Sequence, residues 1–459
     1  MRLFLRPRVW LSAPAAAIAA GIAAATLLAA TMPKVTFTDT RLKNGLRVIV
    51  SEDHSAPVFS IAVNYNVGSR DERKGRTGFA HLFEHMMFKG SENVGPGEHF
   101  TLVFNNGGSM NGTTNKDRTL YFETMPANQL DLALFLEADR MRSLEITKEN
   151  LDNQRHAVQE ERRLGMDNQP YGKTFEAVDE LAYDNFAYEH SVIGSMDDLN
   201  AASVEDVASF FKTYYAPNNA VLAIVGAVRA PEVLAKARKH FESIPSQPAP
   251  PGVELAEPKQ AQERRLTLDD ALARLPRIDV AYKIPPSLSP DDDALSVLAT
   301  VLSGGRSSRF YEQIVRQKQL ASNASAFKGE SRGPGLFRVV ATVVPGKSVA
   351  DVEAALFEEI EQVKSGTIAG WEIEKARSSA KRGFIAGLQS SLNRAITLSQ
   401  YALFYDNPGL INTRYERING VTAADVQRVA RTYLTPENRT VVITNPKKTT
   451  PTNTASGGE

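Results

Sequence analysis

A twenty-residue stretch from the middle of the chain returns, altered but recognisable, near its end. Ser203–Leu222 reads SVEDVASFFKTYYAPNNAVL, and Thr422–Val441 reads TAADVQRVARTYLTPENRTV. Asp206, Val207, Thr213, Tyr214, Pro217 and Asn219 recur as Asp425, Val426, Thr432, Tyr433, Pro436 and Asn438, each 219 residues later. Both copies predict a capped amphipathic helix that ends at Pro and runs into a β-rich strand. One constant offset across six pairs points to two domains of the same fold, each closed by a helix–turn–strand unit. A length of 459 residues, too great for one ordinary core, agrees.

The rest of the chain divides around that repeat. Arg47–Val50 and Val58–Val63 are rich in β-branched residues and predict strands. Helical patterns and further strands alternate to about Ile244. Pro245–Pro258 (PSQPAPPGVELAEP) is too rich in Pro for a helix or a central strand and reads as a linker. The expected layout is a first domain over residues 35–244, a linker over 245–261, a second domain over 262–445 and a disordered tail over 446–459.

Residues 1–30 read as an export signal. Arg2, Arg6 and Arg8 precede an Ala-rich apolar run from Val9 to Ala30, with small residues at Ala23 and Ala25 or at Ala29 and Ala30 for cleavage. The alternative is an uncleaved membrane anchor. Pro14 and the many Ala residues make a weak spanning helix and favour the cleaved signal. A periplasmic location follows, with membrane attachment only if the segment is retained.

Lys+Arg and Asp+Glu balance at 53 each, which gives no footprint for nucleic acid. There are no cysteines, so thiolate chemistry and Cys-based metal sites are excluded. Any metal site must be built from carboxylates and the seven His residues.

Thr77–Phe88 reads TGFAHLFEHMMF, with Thr77 as expected N-cap of a mostly buried helix. Only His81, Glu84 and His85 interrupt its apolar surface, and at about 100° per residue they share one face. His at i and i+4 lets two imidazoles reach one zinc, and the adjacent Glu is placed to take a proton from an activated water. The bland reading, two core histidines beside a surface Glu, leaves a carboxylate buried for no reason.

A third ligand should come from another element. Thr147–Gly165 (TKENLDNQRHAVQEERRLG) predicts a helix on which Leu151, Gln154, Val158 and Glu161 share a stripe, with Glu160 pointing elsewhere. Geometry alone leaves Glu161 open between a metal ligand and part of a solvated charged face.

These residues together resemble the pitrilysin-like (inverzincin) metallopeptidases, the family of mitochondrial processing peptidase and insulin-degrading enzyme, over nearly all of the chain after the signal. HLFEH matches that family's zinc motif, and Glu161, in an E-R-R context 76 residues beyond His85, matches its third ligand. The resemblance implies an α+β fold of two homologous domains, each a mostly antiparallel sheet packed with helices. It also implies one Zn2+ per chain on His81, His85 and Glu161, with Glu84 as general base in peptide hydrolysis. Gly107–Glu123 (GGSMNGTTNKDRTLYFE) resembles the segment in which the family offers an edge strand to a peptide, making Asn111, Gly112 and Thr113 the substrate-binding candidates. Gln154 stands where many members carry a Glu that supports the metal ligands from behind.

Leu302–Ile314 (LSGGRSSRFYEQI) resembles the family's second-domain signature, and the positions 219 beyond His81, Glu84 and His85 are Thr300, Ser303 and Gly304, so no second zinc motif is present. Arg338, in GLFRVVAT, is the candidate for the Arg of an Arg–Tyr pair that grips substrate, yet no Tyr lies between Tyr311 and Tyr401. The pair looks incomplete, which implies a homodimer or a heterodimer with a related subunit lacking the zinc motif. The competing function is a non-catalytic scaffold of the same fold, which has no chemical need for the four intact residues.

Overall fold

The computed structural model of the protein describes residues 34–447. The signal-or-anchor reading of residues 1–30 and the tail from residue 448 onward fall outside the described residues. No helix among the described residues is long and apolar enough to cross a membrane.

Two mixed sheets carry the architecture. The first holds β1 (Thr38–Arg41), β2 (Arg47–Glu52), β3 (Val58–Tyr65), β4 (Ser109–Thr114), β5 (Thr119–Pro126) and β6 (Ala220–Gly226), in the order β1-β2-β6-β3-β5-β4. The second holds β7 (Arg264–Asp270), β8 (Arg277–Ile284), β9 (Ala321–Lys328), β10 (Gly335–Val343) and β11 (Arg439–Pro446), in the order β7-β11-β8-β10-β9. Without β1 the two orders are the same. Each sheet has one parallel pair, β2 with β6 and β7 with β11, and is otherwise antiparallel. This is the expected α+β fold built twice.

The helices that matter below are α1 (Phe79–Met86), α2 (Glu98–Asn105), α3 (Lys148–Arg162), α4 (Gly172–Ala182), α5 (Val204–Tyr214), α6 (Asp292–Ser303), α7 (Ser391–Tyr405) and α8 (Ala423–Tyr433). The sequence repeat falls on α5 with β6 and on α8 with β11. Ser203 and Thr422 cap the two helices by accepting the N–H groups of Asp206 and Asp425. Asn219 Nδ2 donates to Tyr214 O at 2.8 Å and Asn438 Nδ2 to Tyr433 O at 2.7 Å, so the repeated Asn does the same work at the end of each helix. Each also ties the turn to the neighbouring strand segment, at Asn66 O and Lys283 O.

Alternation along the central strands explains the layers. On β3, Phe59, Ile61, Val63 and Tyr65 enter the first core, while the small or polar Ser60, Ala62 and Asn64 face the other way. On β8, Ile278, Val280, Tyr282 and Ile284 enter the second core, and Ala281 lies on the opposite face. These second faces are covered by exchange. α7, late in the sequence, packs on β3 and β6 of the first sheet, with Ser391 Oγ 2.9 Å from Ser60 Oγ. α4, early in the sequence, packs on the second sheet, where Val178 and Ala182 join Ala281, Leu336 and Val442. The linker contributes too: Val253 and Leu255 pack against that same cluster.

Candidate metal centre and peptide edge

α1 begins in a way the local sequence did not indicate. Its N-cap is Gly78, at φ +84°, rather than Thr77. A Cβ on Gly78 would lie 2.5 Å from Ile193 O, so backbone sign and space both require glycine. The first-turn donors go to Glu72, whose carboxylate accepts Gly78 N–H at 2.9 Å and Ala80 N–H at 2.7 Å. Thr77 turns away, and its N–H and hydroxyl go to Asp198. Glu72 is backed by His190, whose Nε2 is 3.0 Å from Glu72 Oε2 and whose Nδ1 is 2.7 Å from Phe186 O. Burial opposes charge on His190, but Glu72 and the Phe186 carbonyl outweigh it and its pKa is raised. A carboxylate at a helix N-terminus satisfies orphan N–H groups and complements the helix dipole, for about 1 kcal/mol or more where buried.

Along α1, Phe79, Leu82, Phe83 and Met86 are buried in the first core, which fixes the rotation of the helix. His81 and His85 emerge on one side, ring centres 4.8 Å apart and nearly perpendicular. Glu161, in the last turn of α3, meets them: His81 Nε2 is 3.7 Å from its Oε1 and His85 Nε2 is 3.3 Å from its Oε2. Thr147 caps the start of α3 through Asn150 N–H. Its end is anchored by Arg162, which makes a two-pronged contact with Glu176 and donates to Gly194 O at 2.7 Å. Glu160 instead pairs with Arg163.

One ligand atom from each of His81, His85 and Glu161 can be chosen so that all lie within 4.8 Å of one another. Two imidazole nitrogens and one carboxylate oxygen form a donor set suited to catalytic zinc. Burial and the neighbouring His85 hold the His81 pKa down to about 4, so its ring is neutral and able to ligate at neutral pH. The donors therefore fit a zinc ion. Gln154 is buried on the same stripe of α3, two positions before Glu161, and its Nε2 donates to Asn153.

Glu84 is buried on the same helix and is held by Thr114, whose hydroxyl donates to its Oε2 at 2.6 Å. Burial pushes the Glu84 carboxyl pKa up, with the Thr114 bond pulling the other way. Gly112 gives the carboxylate room: a Cβ there would sit 3.0 Å from Glu84 Cγ and from Oε1. Thr114 was legible in principle, because residues 112 and 114 of a strand share a face. Glu72, His190 and Asp198 left no local signal, since their roles exist only through contacts distant in sequence.

β4 is an edge strand, as the resemblance implied for this segment. Asn115 N–H donates to Arg118 O at 3.0 Å across the β4–β5 turn. Alternation back from that turn leaves the main-chain groups of Gly112 and Thr114 pointing away from β5. Asn111 Oδ1 accepts the Gly112 N–H at 2.9 Å, so this outward donor is met by a neighbouring side chain. Thr113 is held by Arg118, which donates to its carbonyl and hydroxyl.

Arg338 is not among the residues around His81 and His85. It projects from β10 into an ion pair with Asp179 of α4, beside a cavity of about 250 Å³ that Thr114, Lys116, Tyr183 and Tyr188 also line. Its own half supplies no nearby tyrosine to the cavity, but the first half supplies two. Tyr183 donates to Pro334 O and Tyr188 to Asp117.

A second group of potential ligands, His99, Glu123 and Glu137, lies fully buried in the first core. Arg140 lies against this group, bonded to Glu137 and stacked 4.4 Å from the Tyr121 ring centre. A buried guanidinium there repels a dication, so this is an ion-pair network. His99 Nε2 lies 2.7 Å from Glu123 Oε1, and burial pushes the Glu123 pKa up to about 7. A carboxyl with a raised folded pKa favours the folded state below its ordinary value, and that contribution is lost as pH rises through about 7. Stability by denaturant unfolding is expected to fall by a few kcal/mol between pH about 5 and about 9, and Glu123→Gln is expected to flatten that slope. An equally steep slope in the variant would assign the effect to other groups.

Residues 47–195 match the family model described as Insulinase (Peptidase family M16), and residues 201–380 match the one described as Peptidase M16 inactive domain. The sequence is 32% identical over 409 residues to the zinc protease PqqE of Helicobacter pylori, covering 88% of this chain and 92% of that protein. The chain belongs to peptidase family M16. Among solved structures, a protease from Helicobacter pylori superposes with a TM-score of 0.86 at 31% identity, covering 90% of this chain and 100% of the other. The periplasmic protease PqqL of Escherichia coli superposes with a TM-score of 0.74 at 18% identity, covering 91% of this chain and 48% of that one. The inactive-domain match falls largely on the half that lacks an HxxEH sequence, and the insulinase match contains His81, Glu84, His85 and Glu161.

Proposed function

We propose that this M16 chain is a zinc-dependent endopeptidase acting on peptides or unfolded polypeptides. The observation that carries the reading is the convergence of His81, His85 and Glu161 beside a buried Glu84 with one oxygen engaged and the other clear. His81, His85 and Glu161 would hold the zinc. Once bound, zinc supplies Lewis acidity, easing proton loss from water and drawing electron density from a carbonyl. Thr114 fixes Glu84 through Oε2, leaving Oε1 to accept the proton of the attacking water and return it to the leaving amine. The peptide lies along β4 as an added strand, bonded to the outward groups of Gly112 and Thr114 and displacing Asn111 Oδ1 from the Gly112 N–H. A scaffold role would leave this donor set and the buried Glu84 without purpose.

The finer assignments follow from the same reading. The layout of two domains about a Pro-rich linker, export to the periplasm and pairing with a second M16 subunit are part of the proposal. Pairing is supported by the length of PqqL, of which this chain spans about half.

Hydrolysis of a quenched fluorescent peptide, with metal content measured on the same sample, tests the proposal. About one zinc per chain is expected, with cleavage lost on chelation and restored by zinc. A folded chain that binds no metal would overturn it. Gly112→Val is expected to retain zinc but to lower kcat/KM on the order of 100-fold, because its side chain displaces Glu84. Unchanged turnover would show that Glu84 needs no such clearance.

A further inference from the structure

The connection between β9 and β10, residues 329–334, belongs to the half without the metal motif, yet its donors are directed into the other half. Ser331 anchors it at home, with its N–H on Ser287 Oγ at 3.0 Å. The next two residues reach across. Arg332 N–H donates to Asp117 Oδ2 at 2.9 Å, and Gly333 N–H donates to the Tyr188 hydroxyl at 2.8 Å. The approach is close enough that a Cβ on Gly333 would lie 2.5 Å from Tyr188 Cε2. The Arg332 guanidinium continues to Asn66 Oδ1, which Arg70 also uses.

Asp117 collects these contacts. It is 2% exposed and sits in the β4–β5 turn, three residues beyond the Thr114 that holds Glu84. Its Oδ1 accepts from Arg70 at 2.9 Å and from Tyr188 at 2.7 Å, and its Oδ2 takes the Arg332 N–H. The turn backbone is gripped from the same side: Ser69 N–H donates to Asn115 O and Arg70 N–H to Lys116 O. Edge strands lack a neighbour on one side and fray unless something holds their ends. Here one buried carboxylate satisfies a guanidinium, a hydroxyl and a backbone N–H, all aimed at the end of β4.

We propose that Asp117 is a positioning residue through which the metal-free half, by way of Arg332, Gly333 and Tyr188, holds β4 in the geometry that receives a peptide. The second half thus contributes to substrate binding without touching the metal. This rests on the reading of β4 as the peptide edge. Loss of one acceptor at Asp117 leaves buried donors unmatched and loosens the turn, while His81, His85 and Glu161, on other elements, keep their places.

Two variants of the full chain test it, both loaded with zinc. Tyr188→Phe keeps the ring and its packing but removes the hydroxyl that bridges Asp117 and Gly333, and Asp117→Asn keeps the shape of the carboxylate. In each, amide hydrogen exchange across residues 109–119 is expected to quicken roughly tenfold or more, with α1 unaltered. Zinc content should stay the same, and KM should rise roughly tenfold while kcat changes less than about twofold. Unchanged exchange in residues 109–119 would overturn the clamp. Quickened exchange with unchanged KM would overturn β4 as the peptide edge, and the positioning role with it, while leaving the metal-site reading intact.

Discussion

Glu84→Gln will leave a folded, zinc-loaded chain that cleaves peptides roughly 10²–10⁴-fold more slowly. Glutamine fills the same volume, and its amide oxygen can still accept the Thr114 hydroxyl that now donates to Oε2. What disappears is the basic oxygen on the side kept clear by Gly112. The three donors proposed for the metal lie on other residues, so zinc content should not change. Peptide turnover and metal analysis of the same preparation check both halves of this expectation. Turnover within about threefold of the unaltered chain would remove Glu84 from the role of general base.

His85→Ala should act on the metal first and on activity as a consequence. The ring is a quarter exposed and the helix around it is held by Phe79, Leu82, Phe83 and Met86, so little stability is at stake. Loss of one of three protein donors is expected to weaken zinc affinity by more than about 100-fold, since even outer partners of a ligand account for 10–100-fold. Competition against a chelator of known affinity reads this directly, with no need for a substrate. Zinc retained at full affinity would mean that the ion sits elsewhere. The two substitutions lie side by side in the sequence, yet one should spare the metal and lose chemistry while the other loses the metal itself.

The candidate centre was unusually legible because its parts follow helical periodicity. His81, Glu84 and His85 share a face of α1 whatever that helix packs against, and Leu151, Gln154, Val158 and Glu161 form a stripe on α3 by the same rule. That the two helices bring these groups together is a tertiary fact, which spacing alone left open and the resemblance supplied. The start of α1 departs from its local sequence signal for a related reason. Thr77 has the right chemistry for an N-cap, but Asp198, 121 residues away, takes its hydroxyl, and Glu72 takes the helix donors instead. A local capping preference of about 1 kcal/mol yields readily to a buried carboxylate delivered by the fold.

The doubling of the fold, strands β2, β3, β6 and β11, the polar face of α1 and the lack of a second zinc motif were all legible in the amino-acid order, because each is written in short-range pattern or in a repeat. Which sheet each amphipathic helix covers is settled by packing between segments far apart in the chain. The apolar residues of α4 and α7 announce that a face must be buried, and that requirement is equally met by either sheet. The choice went to the opposite sheet each time, α7 onto β3 and β6 and α4 onto β8 and β11. Small side chains such as Ala62 and Ala281 leave space there for a helix to approach. The same is true of Asp117 and Tyr188: their partners lie far away along the chain, and hydrogen bonds between distant segments leave no periodic trace in a sequence.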